Sequence, residues 1–273
     1  MASEVEITLP REKRGVERND PRLIVIYAPP KMGKTTLMST LPNNLILDLE
    51  EGAGFVESMS MTIIGWEKPK ELPEVRAARL EKGHYYMTEV GASIMKAGRP
   101  YDFITVDTAT KLEEFALPLA NARYKATPIG KDYDGNDVRE LPRGAGYLYL
   151  RLAFEDCIER IRKLANTVIL IGHLRDSVIE KAGKEVNAKD LDLTGKIKQT
   201  TCATADAVGY LHRGLDNELL INFKGSDEIL CGSRCPHLKG VEVKIADYNK
   251  EDNCLENVDW SLIFPDKFNK KID

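Results

Sequence analysis

No stretch of this sequence approaches the roughly 20 consecutive apolar residues that a membrane-crossing helix needs, and Met1 to Asn19 carries too many charges for a secretory leader. An intracellular protein with no membrane partner is expected. Cysteine is scarce as well: five residues, an odd number scattered along the chain, fit reduced thiols better than a disulfide framework. There is no internal repeat, no low-complexity tract and no run of like charge. The net charge of −4 excludes little, because an acidic protein still binds phosphate backbones if its cations gather in one groove. At 273 residues the chain is long enough for one α/β domain with a sizeable core.

What is present begins at Arg22. Leu23 to Ile26 is an apolar, β-branched run suited to a strand covered on both faces. Ala28 to Thr35 then follows the phosphate-loop pattern of a small residue, four free positions and Gly-Lys-Thr, with Ala28 where a glycine is usual. Pro30, Lys31, Met32, Gly33, Lys34, Thr35 and Thr36 are the expected nucleotide-binding residues. Gly33 lets the backbone curl around phosphates, Lys34 reaches the β and γ oxygens, and Thr35 ligates Mg²⁺. Thr36 opens a helix whose N-terminal dipole favours an anion. A nucleotide triphosphatase using ATP and Mg²⁺ is expected.

Strand and helix signals alternate downstream. Asn44 to Leu49 reads as a second buried strand leading to Asp48, Glu50 and Glu51, where an open α/β sheet binds its ligands. A short strand at Thr62 to Ile64 and a helix over Glu74 to Lys96, broken near Gly83, are expected next. Tyr101 to Asp107 is an apolar strand ending in an acid, the form of a Walker B element, with Asp107 as the second metal residue and Thr108 assisting; a helix cap is the alternative. After a helical period over Arg151 to Leu164, Thr167 to Ile171 forms a fourth strand ending in Gly172-His173. His173 is a candidate γ-phosphate sensor or a hydrogen-bonded structural histidine. Ala207 to Arg213, Glu218 to Phe223 and Val241 to Ala246 read as antiparallel additions at one sheet edge.

Two long polar connections interrupt this order. The first, about Arg123 to Gly146, holds Arg123, Lys125, Lys131, Arg139 and Arg143, interleaved with Tyr124, Tyr133 and Tyr147. The second, about Asp176 to Gln199, holds Lys181, Lys184, Lys189, Lys196 and Lys198. Long irregular loops inside a compact domain are usually functional or disordered. Cations with stackable aromatics suit single-stranded nucleic acid; solvated loops with neutralising acids such as Asp137 and Glu185 are the alternative. Cys231, Cys235, His237 and Cys254 are zinc-ligating types, but Cys-x-His is too tight a spacing and Cys254 is remote, so no metal beyond Mg²⁺ is expected.

The order of phosphate loop, Leu-Asp-Leu-Glu-Glu, Ile-Thr-Val-Asp-Thr, long loop, helix, Val-Ile-Leu-Ile-Gly-His and second basic loop resembles the RecA-type recombinase core over roughly Leu23 to Phe223. More narrowly, the Ala-Pro-Pro-Lys-Met-Gly-Lys-Thr loop, the compact length and Cys231 to Pro236 resemble the core-only RecA-like ATPases of bacteriophages, which include Sak-type single-strand annealing proteins. The resemblance implies a RecA-like P-loop fold: a mostly parallel central sheet flanked by helices, with antiparallel edge strands. It implies that Lys34, Glu50, Asp107 and His173 are catalytic, with Glu50 activating water, Glu51 its competitor, and His173 where relatives place a Gln. It makes the two basic connections DNA-contacting, and Lys224 and Arg234 cations acting in trans on a neighbour's nucleotide; for Lys224 an exposed strand-end lysine is the alternative. The implied partners are single-stranded DNA, further copies in a filament or ring, and a single-strand binding protein; the implied location is the cytoplasm of a bacterial host. The implied activity is annealing or strand exchange, against a helicase loader or motor, or a nucleotide-gated scaffold.

The expected organisation is an N-terminal arm (1–21), an ATPase domain (22–247) and a C-terminal tail (248–273). No helical DNA-binding bundle is expected before the core and no long domain after it. Val5, Ile7 and Leu9 in the arm alternate as an edge strand would. Val258 to Phe264 is an apolar patch expected to dock on its own domain, with a protein partner as the alternative.

Overall fold

The computed structural model describes residues 9, 11–63, 71–181, 184–252 and 254–269. The expectations for Val5, Ile7 and Ile64, and for the side chains of Lys181 and Lys184, lie outside the described residues.

β1 (Leu23–Ala28) leads through the phosphate-loop segment into α1 (Lys34–Ser39), then β2 (Asn44–Asp48), the short β3 (Ser60–Thr62) and the long α2 (Pro73–Lys96). β4 (Phe103–Asp107) is followed by α3 (Ala109–Phe115), α4 (Leu117–Lys125) and α5 (Gly146–Ile161). β5 (Thr167–Lys181) and β6 (Lys184–Leu191) precede α6 (Gly195–Thr204). β7 (Ala207–Arg213), β8 (Glu218–Asn222), β9 (Gly232–Ser233), β10 (Glu242–Asn249), β11 (Cys254–Glu256) and α7 (Pro265–Phe268) complete the order.

The sheet runs β11-β10-β8-β7-β1-β5-β4-β2-β3, with β9 beside β7 and β6 beside β5. The six strands from β7 to β3 are mutually parallel; β8, β10 and β11 are antiparallel additions at one edge. This is an α/β arrangement, mostly parallel with antiparallel edge strands, in which β5 separates the phosphate-loop strand from the strand ending in Asp107. All six residues of β1 are buried because helices or tail cover both faces. Leu23, Val25 and Tyr27 pack with the α2–α5 layer, while Ile24, Ile26 and Ala28 pack with Leu37, Met38, Trp260 and Phe264.

Four sequence expectations change. β7 is parallel to β1, not antiparallel, because the crossover through α6 returns the chain to the starting edge of the sheet. α2 is continuous through Gly83, which lies buried on the face that also carries Leu80, Met87, Val90 and Ile94, where a missing side chain is tolerated. The second basic connection is no loop: β5 continues past the sheet and pairs antiparallel with β6 from Leu174↔Leu191 to Lys181↔Lys184. Lys181, Lys184 and Lys189 stand in this ladder, which composition concealed, while Lys196 and Lys198 lie on α6. In the first connection, Tyr124 packs edge-on to Tyr133 and Tyr149 at 5.3 and 5.2 Å, which takes two of the three interleaved tyrosines into internal contacts.

The tail docks on its own domain. Trp260, Ile263 and Phe264 are buried, and the Trp260 indole N–H donates to Thr40 Oγ1 at 3.0 Å at the end of α1. Asp266 accepts from the Asn19 main chain at 2.6 Å and side chain at 2.8 Å, closing the base of the arm against the tail.

Candidate active site

Parallel strands deliver their last residues to one edge, and the ends of four adjacent strands, β1, β5, β4 and β2, build the site. Asp48 of β2 is level with Asp107 of β4, and His173 of β5 is level with Ala28 of β1. Beyond Ala28 the chain turns sharply: Lys31 has φ 60° and Gly33 has φ 88°, a left-handed conformation that glycine adopts without strain. No side chain caps α1. Pro30 and Lys31 are exposed, and Met32, Thr35 and Thr36 are half-buried.

Lys34 is 7% exposed and folds back on its own loop, its ammonium donating to the carbonyls of Ala28 at 3.4 Å and Pro29 at 3.1 Å. Burial lowers its pKa, opposed by the charges of Asp107 and Glu50. Thr35 Oγ1 donates to Asp107 Oδ2 at 2.5 Å. Asp107 is 4% exposed, and burial pushes its carboxyl up to about 6, only partly offset by the Thr35 hydrogen bond. The Asp107–Thr108 peptide bond is cis.

Glu50 stands on the turn after β2. His173 Nε2 lies 3.0 and 3.1 Å from its two carboxylate oxygens, and Thr108 Oγ1 donates to it at 2.7 Å. Burial raises its pKa, but the hydrogen bonds from His173 and Thr108 prevail and hold it below the usual carboxylate value. Thr108 also caps α3 by accepting from the Lys111 main chain at 3.2 Å, so the helix-cap and site-assisting readings of this strand end coexist on neighbouring residues.

Sequence reading placed Asp48 at this edge without its role, and missed Thr110 and Glu113. Asp48 organises the Glu50 turn; an Asp followed by a Gly-rich segment is a recognisable turn signal. Thr110 accepts from the His173 main chain at 3.2 Å and donates to the Asp192 carbonyl at 3.0 Å. Glu113 is buried on α3 and accepts from the Thr194 main chain at 2.9 Å and from the Thr194 hydroxyl. Nothing local in the sequence marks the last two, because their partners are 63 to 82 residues away.

The expected DNA-contacting cations divide into two sets. Lys125, Lys131, Arg143 and Lys196 are exposed. Arg123 pairs with Asp156 at 3.2 Å, Arg139 with Asp137 and Lys198 with Asp190, while Lys189 donates to the Tyr210 hydroxyl at 3.0 Å. Lys224 and Arg234 are exposed; by strand register they lie toward the N-terminal edge of β7, away from Lys34, and the Arg234 guanidinium donates to the Ala203 carbonyl. Of the possible zinc residues, Cys235 is buried and His237 faces the Ile263 carbonyl at 3.1 Å, with Cys254 on the edge strand β11. Among the described residues no group of three or more His, Cys, Asp or Glu is placed to hold a metal ion, and no helix is long and apolar enough to cross a membrane.

Comparison with solved structures finds similarity to the crystal structure of the RadB recombinase, at 13% identity and a TM-score of 0.43, covering 88% of this chain and 92% of that one. It also finds an ATPase from the type III secretion system of pathogenic bacteria, at 14% identity and a TM-score of 0.41, covering 76% of this chain and 60% of that one. No curated protein matches the sequence. An AAA domain matches residues 20–235, the greater part of the chain and the whole of the strand edge just described. The chain therefore belongs to the AAA-domain family of P-loop nucleotide triphosphatases.

Proposed function

We propose that this protein is a Mg²⁺-dependent ATPase that binds single-stranded DNA and promotes annealing or strand exchange in phage recombination, in the cytoplasm of a bacterial host. The proposed organisation is an arm (1–21), an ATPase domain (22–247) and a tail (248–273), working as a filament or ring. The observation that carries the chemistry is the convergence of Lys34, the Thr35–Asp107 pair and Glu50 on one sheet edge.

A hydroxyl and a buried carboxylate in contact are hard oxygen donors of the kind Mg²⁺ takes, and a carboxylate strained by burial gains from a nearby cation. Mg²⁺ held by Thr35 and Asp107 would neutralise charge on the transferring phosphoryl group. Pro30 to Thr36 wraps the phosphates, and Lys34 exchanges its two loop carbonyls for phosphate oxygens. Glu50, kept ionised by its hydrogen bonds, takes a proton from the attacking water. His173 touches Glu50 through its ring and Thr110 through its main chain, so it reports the state of Glu50 toward the β5–β6 hairpin. Lys224 and Arg234 serve a neighbour's nucleotide, which makes hydrolysis depend on assembly.

ATP hydrolysis with and without single-stranded DNA, alongside a salt-titrated binding assay, tests the reading. Stimulation by DNA, with binding that weakens as salt rises, is expected. Hydrolysis indifferent to DNA would move the protein to a loader or scaffold role. Lys34→Ala is expected to lose nucleotide binding; normal turnover by that variant would reject the site.

A further inference from the structure

Asp48 is the last residue of β2, fully buried, and its carboxylate oxygens accept three main-chain hydrogen bonds. Oδ1 takes the N–H groups of Glu50 at 3.0 Å and Gly52 at 3.1 Å; Oδ2 takes that of Ala53 at 2.9 Å. All three donors belong to the turn that carries Glu50. A carboxylate this deep is costly unless its lone pairs are occupied, and here the turn wraps around it to occupy them. Fixing three amides within four residues leaves the turn little freedom. Glu51, inside it, takes φ 57°, a left-handed conformation uncommon for a residue with a side chain. The two consecutive carboxylates are thereby set apart: Glu50 reaches Thr108 at 2.7 Å and His173 at 3.0 Å. Space confirms how near the turn runs to the metal-side hydroxyl, since a Cβ on Gly52 would stand 3.7 Å from Thr35 Oγ1.

We infer that Asp48 is a positioning residue: its carboxylate moulds the turn from Leu49 to Ala53 and so selects Glu50, rather than Glu51, as the acid presented to the nucleotide. It touches no reacting atom and acts through Glu50, so the inference rests on the proposed role of that residue. Asp48→Asn keeps size and one acceptor but turns an amide donor toward a main-chain N–H. Misplacement by about 1 Å of a reacting group costs on the order of 100-fold in rate. Asp48→Asn is therefore expected to lower kcat by about 10- to 100-fold, with KM for ATP within about twofold.

The test is a cycle of Asp48→Asn, Glu50→Gln and the double variant, reading kcat, KM and Tm for each. Groups that act as a unit are not additive, so the double variant is expected to be no slower than Glu50→Gln alone. Turnover by Asp48→Asn at the normal rate while Glu50→Gln is dead overturns this inference and leaves the Glu50 reading standing. An Asp48→Asn penalty repeated in full on the Glu50→Gln background also overturns it, since the effect then bypasses Glu50. Normal turnover by Glu50→Gln overturns the reading of Glu50 and the inference with it. Should Asp48→Asn fail to fold, Asp48→Ser, which keeps an acceptor for the Glu50 amide, is read by the same criteria. Independently, the amides of Glu50, Gly52 and Ala53 in the unaltered protein are expected to be protected from hydrogen exchange, and free exchange at all three would overturn the inference.

Discussion

Asp107 carries a cost that comes from its burial. Burial pushes its carboxyl from the ordinary 3.8 to about 6, so the folded protein holds that proton more tightly than the unfolded chain does. The stability this group contributes is fully present below its unfolded pKa and is lost as pH rises from about 4 through about 6. Roughly two units correspond to about 3 kcal/mol. Without nucleotide or Mg²⁺, Asp107→Asn is expected to be more stable than the parent at pH 8 by up to about 3 kcal/mol, the difference closing toward pH 4. Urea unfolding at the two pH values checks this; a difference independent of pH would reject it. Mg²⁺ with nucleotide should narrow the gap by restoring a partner to the ionised parent. Asp107 was legible in the sequence because an acid closes an apolar strand, and Lys34 and Thr35 because their spacing is a motif. Asp48 was legible only as a carboxylate at a strand end, since its three partners are main-chain amides that no side-chain pattern reveals.

Among the elements, the docked tail offers the sharpest test. Trp260 is 5% exposed, stacks on Phe264 with centroids 6.0 Å apart and donates to Thr40, while Phe264 meets Phe103 at 5.0 Å. The tail thus closes one face of the central sheet against α1. Replacing a buried Trp by Ala typically costs about 3–5 kcal/mol through lost burial and the cavity left behind. Trp260→Ala is expected to lower Tm by on the order of 10 °C. An unchanged melting curve would mean that the tail contributes no stability. The central strands were legible from their apolar runs, because two-sided burial leaves a continuous signature in β1, β2, β4 and the first half of β5. The outer half of β5 and β6 were not, because that hairpin lies off the main sheet and its sequence is polar. Direction is equally silent in a strand's own sequence: β7 runs parallel to β1 on account of the preceding crossover.

For the molecule as a whole, the question is which cations remain for a nucleic acid once internal ion pairs are satisfied. Acidic residues outnumber basic ones, 43 to 39, so DNA affinity has to come from local concentration. Arg139 and Lys198 are held by Asp137 and Asp190, and Arg123 by Asp156; transferring them to phosphates would first break those pairs. Lys125, Lys131 and Lys196 are exposed, on α4, the segment after it and the start of α6. On the proposed reading these lysines carry the phosphate contacts. Each single-strand contact contributes about 0.7 to the slope of log affinity against log salt. Replacing all three by Gln is expected to reduce that slope by about 2, with ATP turnover in the absence of DNA unchanged. Arg139→Gln is expected to leave the slope as it was and to lower Tm instead, because it strips Asp137 of its bidentate partner. Filter binding across a salt series distinguishes the two sets. Equal slope changes from both would show that the internal pairs open on binding, and an unchanged slope from the triple variant would remove this surface from the DNA path.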